Sequence, residues 1–400
     1  MFRTKKLARY PVYSFLFLFF VVFVAACGSS GSGPTTNRPI VLQVVDAGGY
    51  SAQVQPMLNA FQKAHPELVS KVVYPARIQA PQLPGKLKAE EDANNIQDTL
   101  IISGYDGVSS AIQQGLVEQL TPTHSDKFPN LDSNYLPAAK AYTDLANGYG
   151  LVFTYTPSGP VFEYDPAKVP NPPTTIEELQ TWIKAHPGQF LYARPSNSGP
   201  GRTMLMGLPY LLGDKDPQDP TKGWDKTWSF LKTVGSGIDS YPTRTGDTMS
   251  ALAKGQVSII ASTLGWDINP RFLQQVPAGD KTFVLKNTTF VADAAFMMMP
   301  KRLDAYRKNI VLDAMAWMLK PDQQAFNYDS GYFYPGPAVK NVPVSMAPAS
   351  SQEIIKQFGR PEYNTLIQQI PIKLPLGTQQ LVDAFSKWDS DVGSGKYKAS

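Results

Sequence analysis

Short, nearly unbroken apolar runs alternate along this chain with stretches whose apolar residues recur every three or four positions. The first rhythm predicts buried strands, the second amphipathic helices. Ile40–Val45 is the first run, with Gln43 its one polar member. Val54, Met57, Leu58 and Phe61 follow at helical spacing, and Val69–Tyr74 is the next strand. Strand, helix, strand is a βαβ unit. Gly85–Ala93 predicts a charged helix, and Asp98–Ser103 a strand that Gly104–Gly107 turns into a helix ending at Gly115. Tyr149–Tyr155 and Val161–Tyr164 predict strands parted by Gly159-Pro160. Asn171-Pro172-Pro173 cannot sit inside a helix or a central strand. Thr175 with Glu178 three residues on forms a capping box, so a helix is expected over Thr175–Ala185.

Phe190–Ala193, Val257–Ala261, Lys281–Leu285 and Val291–Pro300 predict further strands. Phe296–Met299 within the last of these reads as core, because consecutive strand residues point to opposite faces and a methionine copper site could not use them together. Asp304–Leu319 predicts a helix, and the tail reads helical over Ser350–Ile370 and Thr378–Trp388. This alternation predicts an α/β fold.

Charge changes the picture at the N-terminus. Arg3, Lys5, Lys6 and Arg9 stand in the first 26 residues without an acid, and they account for the whole formal excess of +4. The balanced remainder lacks the basic footprint of a nucleic-acid binder. The basic segment runs into apolar Val12–Val24, shorter than the roughly 20 residues of a spanning helix and suited to a signal peptide. The run ends in Val24-Ala25-Ala26-Cys27, which resembles a bacterial lipobox. That resemblance implies a signal peptide over 1–26, a diacylated Cys27, a Gly/Ser tether over 27–38 and an extracytoplasmic place on the bacterial cell membrane. Cys27 is the sole cysteine, so no intramolecular disulfide can form. None of the three histidines, His65, His124 and His186, stands at ligand spacing with another, so no metal or cofactor is expected.

Several passages together carry a family resemblance. Tyr164-Asp165 is followed by a proline-rich turn and Thr175-Ile176-Glu177-Glu178-Leu179; Gln113-Gln114-Gly115-Leu116-Val117-Glu118-Gln119-Leu120 closes a helix; Phe61–Glu67, Lys254–Val257 and Lys320–Phe326 follow in order. In these the chain resembles the extracellular solute-binding proteins of ABC importers, the family that includes the maltose-binding protein. The resemblance implies two lobes, each a mixed sheet flanked by helices, joined by a hinge with the ligand cleft between them. It implies lobe 1 over 39–152 plus 286–325 and lobe 2 over 153–285 plus 326–400. It implies a monomer that binds a small solute and hands it to a permease and its ATPase, and not an enzyme.

Ligands of open sheets bind where strands end and polar loops begin. Those loops offer Asp46 and Tyr50, Tyr105 and Asp106, Ser196 and Asn197, Trp266 and Asp267, and Tyr332 and Tyr334. Asp46 suits ligand contact or the start of the following helix equally. The Ser196–Arg202 loop suits either N–H presentation to oxygen atoms or a capped turn. Trp266 suits either a stacking platform or a buried core position. Arg194 and Arg202 partly offset the acids. Mixed polar and aromatic residues favour a carbohydrate or similar neutral solute over a polyamine or other organic cation, which needs an excess of acids. An anchored extracytoplasmic hydrolase is the alternative of another class, although the chain has no Gly-x-Ser-x-Gly and no His-Glu-x-x-His.

Overall fold

The computed structural model describes residues 38–397. The expected leader, Cys27 and the tether up to Asn37 lie outside the described residues. Among the described residues the strands are β1 Ile40–Asp46, β2 Val69–Val73, β3 Leu100–Gly104, β4 Leu151–Gly159, β5 Val161–Tyr164, β6 Phe190–Leu191, β7 Ile259–Ser262, β8 Lys281–Phe283, β9 Phe290–Met298, β10 Gly336–Pro337 and β11 Ile372–Lys373. They form two mixed sheets. The larger runs β10-β4-β9-β3-β1-β2, with β11 on β9, and the smaller runs β6-β7-β5-β8.

β1, β2 and β3 are parallel to one another, and β9 is antiparallel to β3 and β4. Every residue of β4 and of β9 is buried, as expected of central strands covered on both faces. The methionine run shows the period-2 rule directly. Phe296 and Met298 pack on one face of the sheet with Ile101 and Val152, while Met297 and Met299 pack on the other with Leu42, Val44 and Phe153. The helices Ser51–Ala64 and Ala305–Met318 cover that second face and touch each other. Helix Gly199–Leu212 packs on β4 and β9 of the larger sheet and on β7 of the smaller one.

The Thr175 cap forms, but the return bond of the expected box goes to Thr174 instead of Thr175. The Glu178 amide donates to the Thr175 hydroxyl at 3.2 Å, and the Glu178 carboxylate accepts from the Thr174 amide at 2.7 Å. The tail differs in detail. Helices Ala349–Phe358 and Pro361–Gln369 replace one continuous helix, because Gly359 and the pre-proline Arg360 both adopt extended backbone.

The first crossing between the sheets also falls elsewhere. The expected boundary at 152/153 cuts through β4, which pairs with β9 as far as Gly159; Pro160 alone then separates β4 from β5. The return crossing is residues 284–289. β10 and β11 join the larger sheet, although the expected division placed everything after 326 with the second lobe. The Thr154 hydroxyl donates to the Gly336 carbonyl at 2.8 Å, and that of Thr156 to the Tyr334 carbonyl at 2.7 Å, which fastens this segment to the edge of β4.

Candidate functional site

A cleft of about 700 Å3 lies where β1, β3, β9 and the polar loops of the smaller sheet end. Helix N-termini converge on it: Gly104 and Asp106 open helix Tyr105–Gln113, Gly199 opens helix Gly199–Leu212, and Thr245 opens helix Thr245–Ala253. Such ends favour oxygen-rich ligands.

Asp46 is not free to meet a ligand. Its Oδ1 accepts from the amides of Gly48, Gly49 and Tyr50 at 3.0, 2.6 and 3.1 Å, and its Oδ2 from the Ser51 amide and hydroxyl at 2.9 and 2.6 Å. These include amides that a helix start leaves without partners. Burial pushes the Asp46 carboxyl up, but the Ser51 hydroxyl and the loop amides outweigh it and hold the group below its usual range. Of the two roles open to it, Asp46 takes the structural one. Its loop sets Tyr50, wedged edge-on against Phe153 and Phe333, on the cleft wall.

Asp106 lines the cleft and Tyr105 does not. Tyr105 is buried against Tyr142 and Phe296. Ser196 and Asn197 both line the cleft, and the Ser196 hydroxyl donates to Asn197 Oδ1 at 2.9 Å. Ser198 caps the next helix, accepting from the Gly201 amide at 3.2 Å. Arg194 turns away onto Asp389, 2.9 Å from its Nε. Trp266 and Tyr332 line the cleft with ring centroids 4.7 Å apart, both half-buried.

Asp267 and Tyr334 point elsewhere. The Tyr334 hydroxyl donates to Asn364 Oδ1 at 2.9 Å. Asp267 is fully buried and accepts from Arg271 Nη2 at 3.0 Å, from Arg360 Nε and from the Tyr363 hydroxyl. It therefore bolts the Trp266 loop to the C-terminal helices. Six of the ten sequence candidates thus meet in the cleft: Tyr50, Asp106, Ser196, Asn197, Trp266 and Tyr332.

Two further acids stand behind this bolt. Glu163 of β5 is fully buried, neither carboxyl oxygen has a hydrogen-bond partner, and burial pushes its pKa well up. Burial, with Asp165 nearby, pushes Asp280 up to about 7 against the pull of Arg360 and Arg271. A raised carboxyl pKa means that the folded state holds the proton more tightly than the unfolded chain. The stability this supplies is complete below the usual carboxylate range and is lost as pH rises through about 7. Asp280→Asn should therefore stabilise the protein by on the order of 2 kcal/mol at pH 8 and have little effect near pH 4. Thermal melts at the two pH values check this; an equal shift at both would sink it.

The ten candidates left out Arg77, Arg244, Asp247 and Asp293, all of which line the cleft, as does Arg202, which the sequence offered only as an offset to the acids. Asp293 carried a signal, being the only charge in the otherwise apolar Phe290–Met298. Arg202 bonds both Asp293 oxygens at 2.9 and 2.8 Å and reaches Asp106 at 3.2 Å. Arg244 pairs with Asp247 at 3.1 Å, and Arg77 donates to the Gly48 carbonyl at 3.2 Å. The cleft lining thus carries three arginines and three aspartates. Among the described residues no group of three His, Cys, Asp or Glu is placed to hold a metal, and no helix is long and apolar enough to cross a membrane.

Solved structures of the same fold are numerous. An ABC transporter protein from Clostridium perfringens shares 12% identity over 88% of this chain and 98% of its own, with a TM-score of 0.62. A putative spermidine/putrescine ABC transporter protein from Listeria monocytogenes shares 15% over 88% and 99%, at 0.59. A ferric binding protein from Campylobacter jejuni shares 14% over 88% and 98%, at 0.61. Identities this low establish shared architecture, not a shared ligand. No curated protein matches the chain. The family described as bacterial extracellular solute-binding protein matches residues 56–354, well over half of the sequence. With the two sheets, the crossings between them and the cleft where their loops meet, that match places the chain in the family of bacterial extracellular solute-binding proteins.

Proposed function

We propose that this protein captures a small neutral polar solute, a carbohydrate or a close analogue, and delivers it to a membrane permease. The observation that carries the reading is the cleft's balance of charge beside an aromatic pair. Its arginines Arg77, Arg202 and Arg244 are matched by Asp106, Asp247 and Asp293. A polycation needs a surplus of acids, and none is present there. The Trp266–Tyr332 pair offers ring faces to an apolar sugar face, while Asn197, Ser196, Asn269 and Gln275 offer donors and acceptors to hydroxyls. Hydrolysis finds less support, because Asp106 and Asp293 are both held by one guanidinium and not free to work as acid and base.

Calorimetry over a panel of mono- and oligosaccharides, with spermidine included, tests the ligand class at two salt concentrations. A neutral sugar's affinity should barely move with salt, whereas a polycation's should fall as its charges are screened. Tight, salt-sensitive spermidine binding without sugar binding would sink the reading.

The lipobox-like run at Cys27 supports an acyl anchor on the outer face of the cell membrane. Cys27→Ser should move the protein out of the membrane fraction or leave its leader uncleaved. Normal cleavage with full membrane retention would argue against the anchor.

A further inference from the structure

One side chain in the cleft performs the part of a ligand. Arg202 enters from the first turn of helix Gly199–Leu212 and is 5% exposed. Its Nη2 sits 2.9 and 2.8 Å from the two oxygens of Asp293, and its Nη1 3.2 Å from Asp106 Oδ2. The three residues come from three separated parts of the chain, and all line the cleft. The remaining polar capacity near them is also engaged. Asp293 Oδ1 accepts from the Ala294 amide at 3.0 Å, and Asp106 Oδ1 from the Gly107 amide at 3.0 Å.

A guanidinium held between two carboxylates at the wall of a binding cleft has the chemistry of a bound organic cation. Two carboxylates against one arginine leave a single formal negative charge. Two helix N-termini face it, those of Tyr105–Gln113 and Gly199–Leu212, each worth about half a positive charge. The cluster is therefore close to neutral as a whole. Without Arg202 the same position would present two carboxylates and an empty volume the length of an arginine side chain.

We propose that Arg202 is a specificity-determining residue: a built-in counter-ion that occupies an organic-cation subsite between Asp106 and Asp293 and so restricts the cleft to uncharged polar solutes. This deepens the proposed function and rests on it for the identity of the accepted ligand. Exclusion of cations is a separate property that can be read without any sugar.

Putrescine and methylguanidinium are the probes, and calorimetry at low and at moderate salt is the measurement. Three proteins are compared: the wild type, Arg202→Ala, and Arg202→Ala combined with Asp293→Asn. The double variant leaves no unpaired charge on Asp293 and keeps Asp106 to hold a cation, so it covers the case in which the single variant does not fold. Wild type should bind neither probe at millimolar concentration. A folded variant should gain at least tenfold in affinity for one of them, and the gain should weaken with salt. Tight putrescine binding by the wild type, or a folded variant with no gain, would overturn the proposal. A wild type that ignores every sugar while the variants gain cation binding would leave Arg202's role standing and remove only the carbohydrate reading.

Discussion

Asp267→Ala should lower the melting temperature by about 5–10 °C, the largest stability loss expected of any single substitution near the cleft. The carboxylate is fully buried and is the common partner of Arg271, Arg360 and the Tyr363 hydroxyl. Removing one member of a buried ion pair costs roughly 3–5 kcal/mol, because the opposite charge stays behind without compensation. Here two guanidinium groups are left with backbone acceptors alone: the carbonyls of residue 267 and Phe358 for Arg271, and the Asp280 carbonyl for Arg360. Asp267→Asn keeps an acceptor for Tyr363 and should lose about half as much. Melts of the two variants beside the wild type check the order. A shift under about 1 °C for the alanine variant would mean that this cluster contributes little to stability.

Trp266→Ala carries the largest expected effect on binding. The indole lines the cleft beside Tyr332, on a loop that its neighbour Asp267 ties to Tyr363. A large aromatic anchor in a partly desolvated pocket is commonly worth 2 kcal/mol or more, so the affinity for the cognate solute should fall about 10- to 100-fold. Trp266→Phe keeps a ring face and should lose less than about tenfold. Calorimetry with the ligand found in the solute panel separates the two, and melting curves show that the fold is intact. Unchanged affinity in the alanine variant would move the platform elsewhere.

How much of this was legible in the chain depends on where each residue's partners lie. β1, β3 and β9 are written in the sequence because a nearly unbroken apolar run bounded by polar turns has few other readings. The far end of β4 is not. The apolar run carries the expectation as far as Tyr155, but Thr156, Pro157 and Ser158 look like the start of a polar loop, and pairing with β9 and with the Tyr334 carbonyl, both far along the chain, keeps Thr156 in the strand. β10 and β11 are each two residues long, below any periodicity. The cleft was half legible for the same reason. Loops after strands pointed to Tyr50, Asp106 and Trp266, since position alone brings them there. Asp46 and Asp267 occupy equally good positions, but their carboxylates are claimed by Ser51 close by and by Arg360 and Tyr363 far along the chain. Asp293 was visible as a charge in an apolar strand, which is how a buried pair announces itself when its partner is unknown.

The unequal crossings give the molecule a pin at one side. Pro160 is the only residue between β4 and β5, with its φ fixed by its ring, and helix Gly199–Leu212 rests on it so closely that a Cβ at Gly207 would lie 2.4 Å from Pro160 Cδ. A gate on a pin travels little beside the pin and farthest at its free edge. Arg202 lies on the helix that rests against Pro160, and Asp293 pairs with Thr156 three residues before Gly159, so their bond sits next to the pin and should survive a swing. The Trp266 loop also starts at the pin, where the Leu264 amide donates to the Ser158 carbonyl at 2.9 Å, so it too should travel little. Small-angle scattering with and without saturating ligand reads the swing as a change in radius of gyration; an identical radius at saturation would mean that the gate does not move.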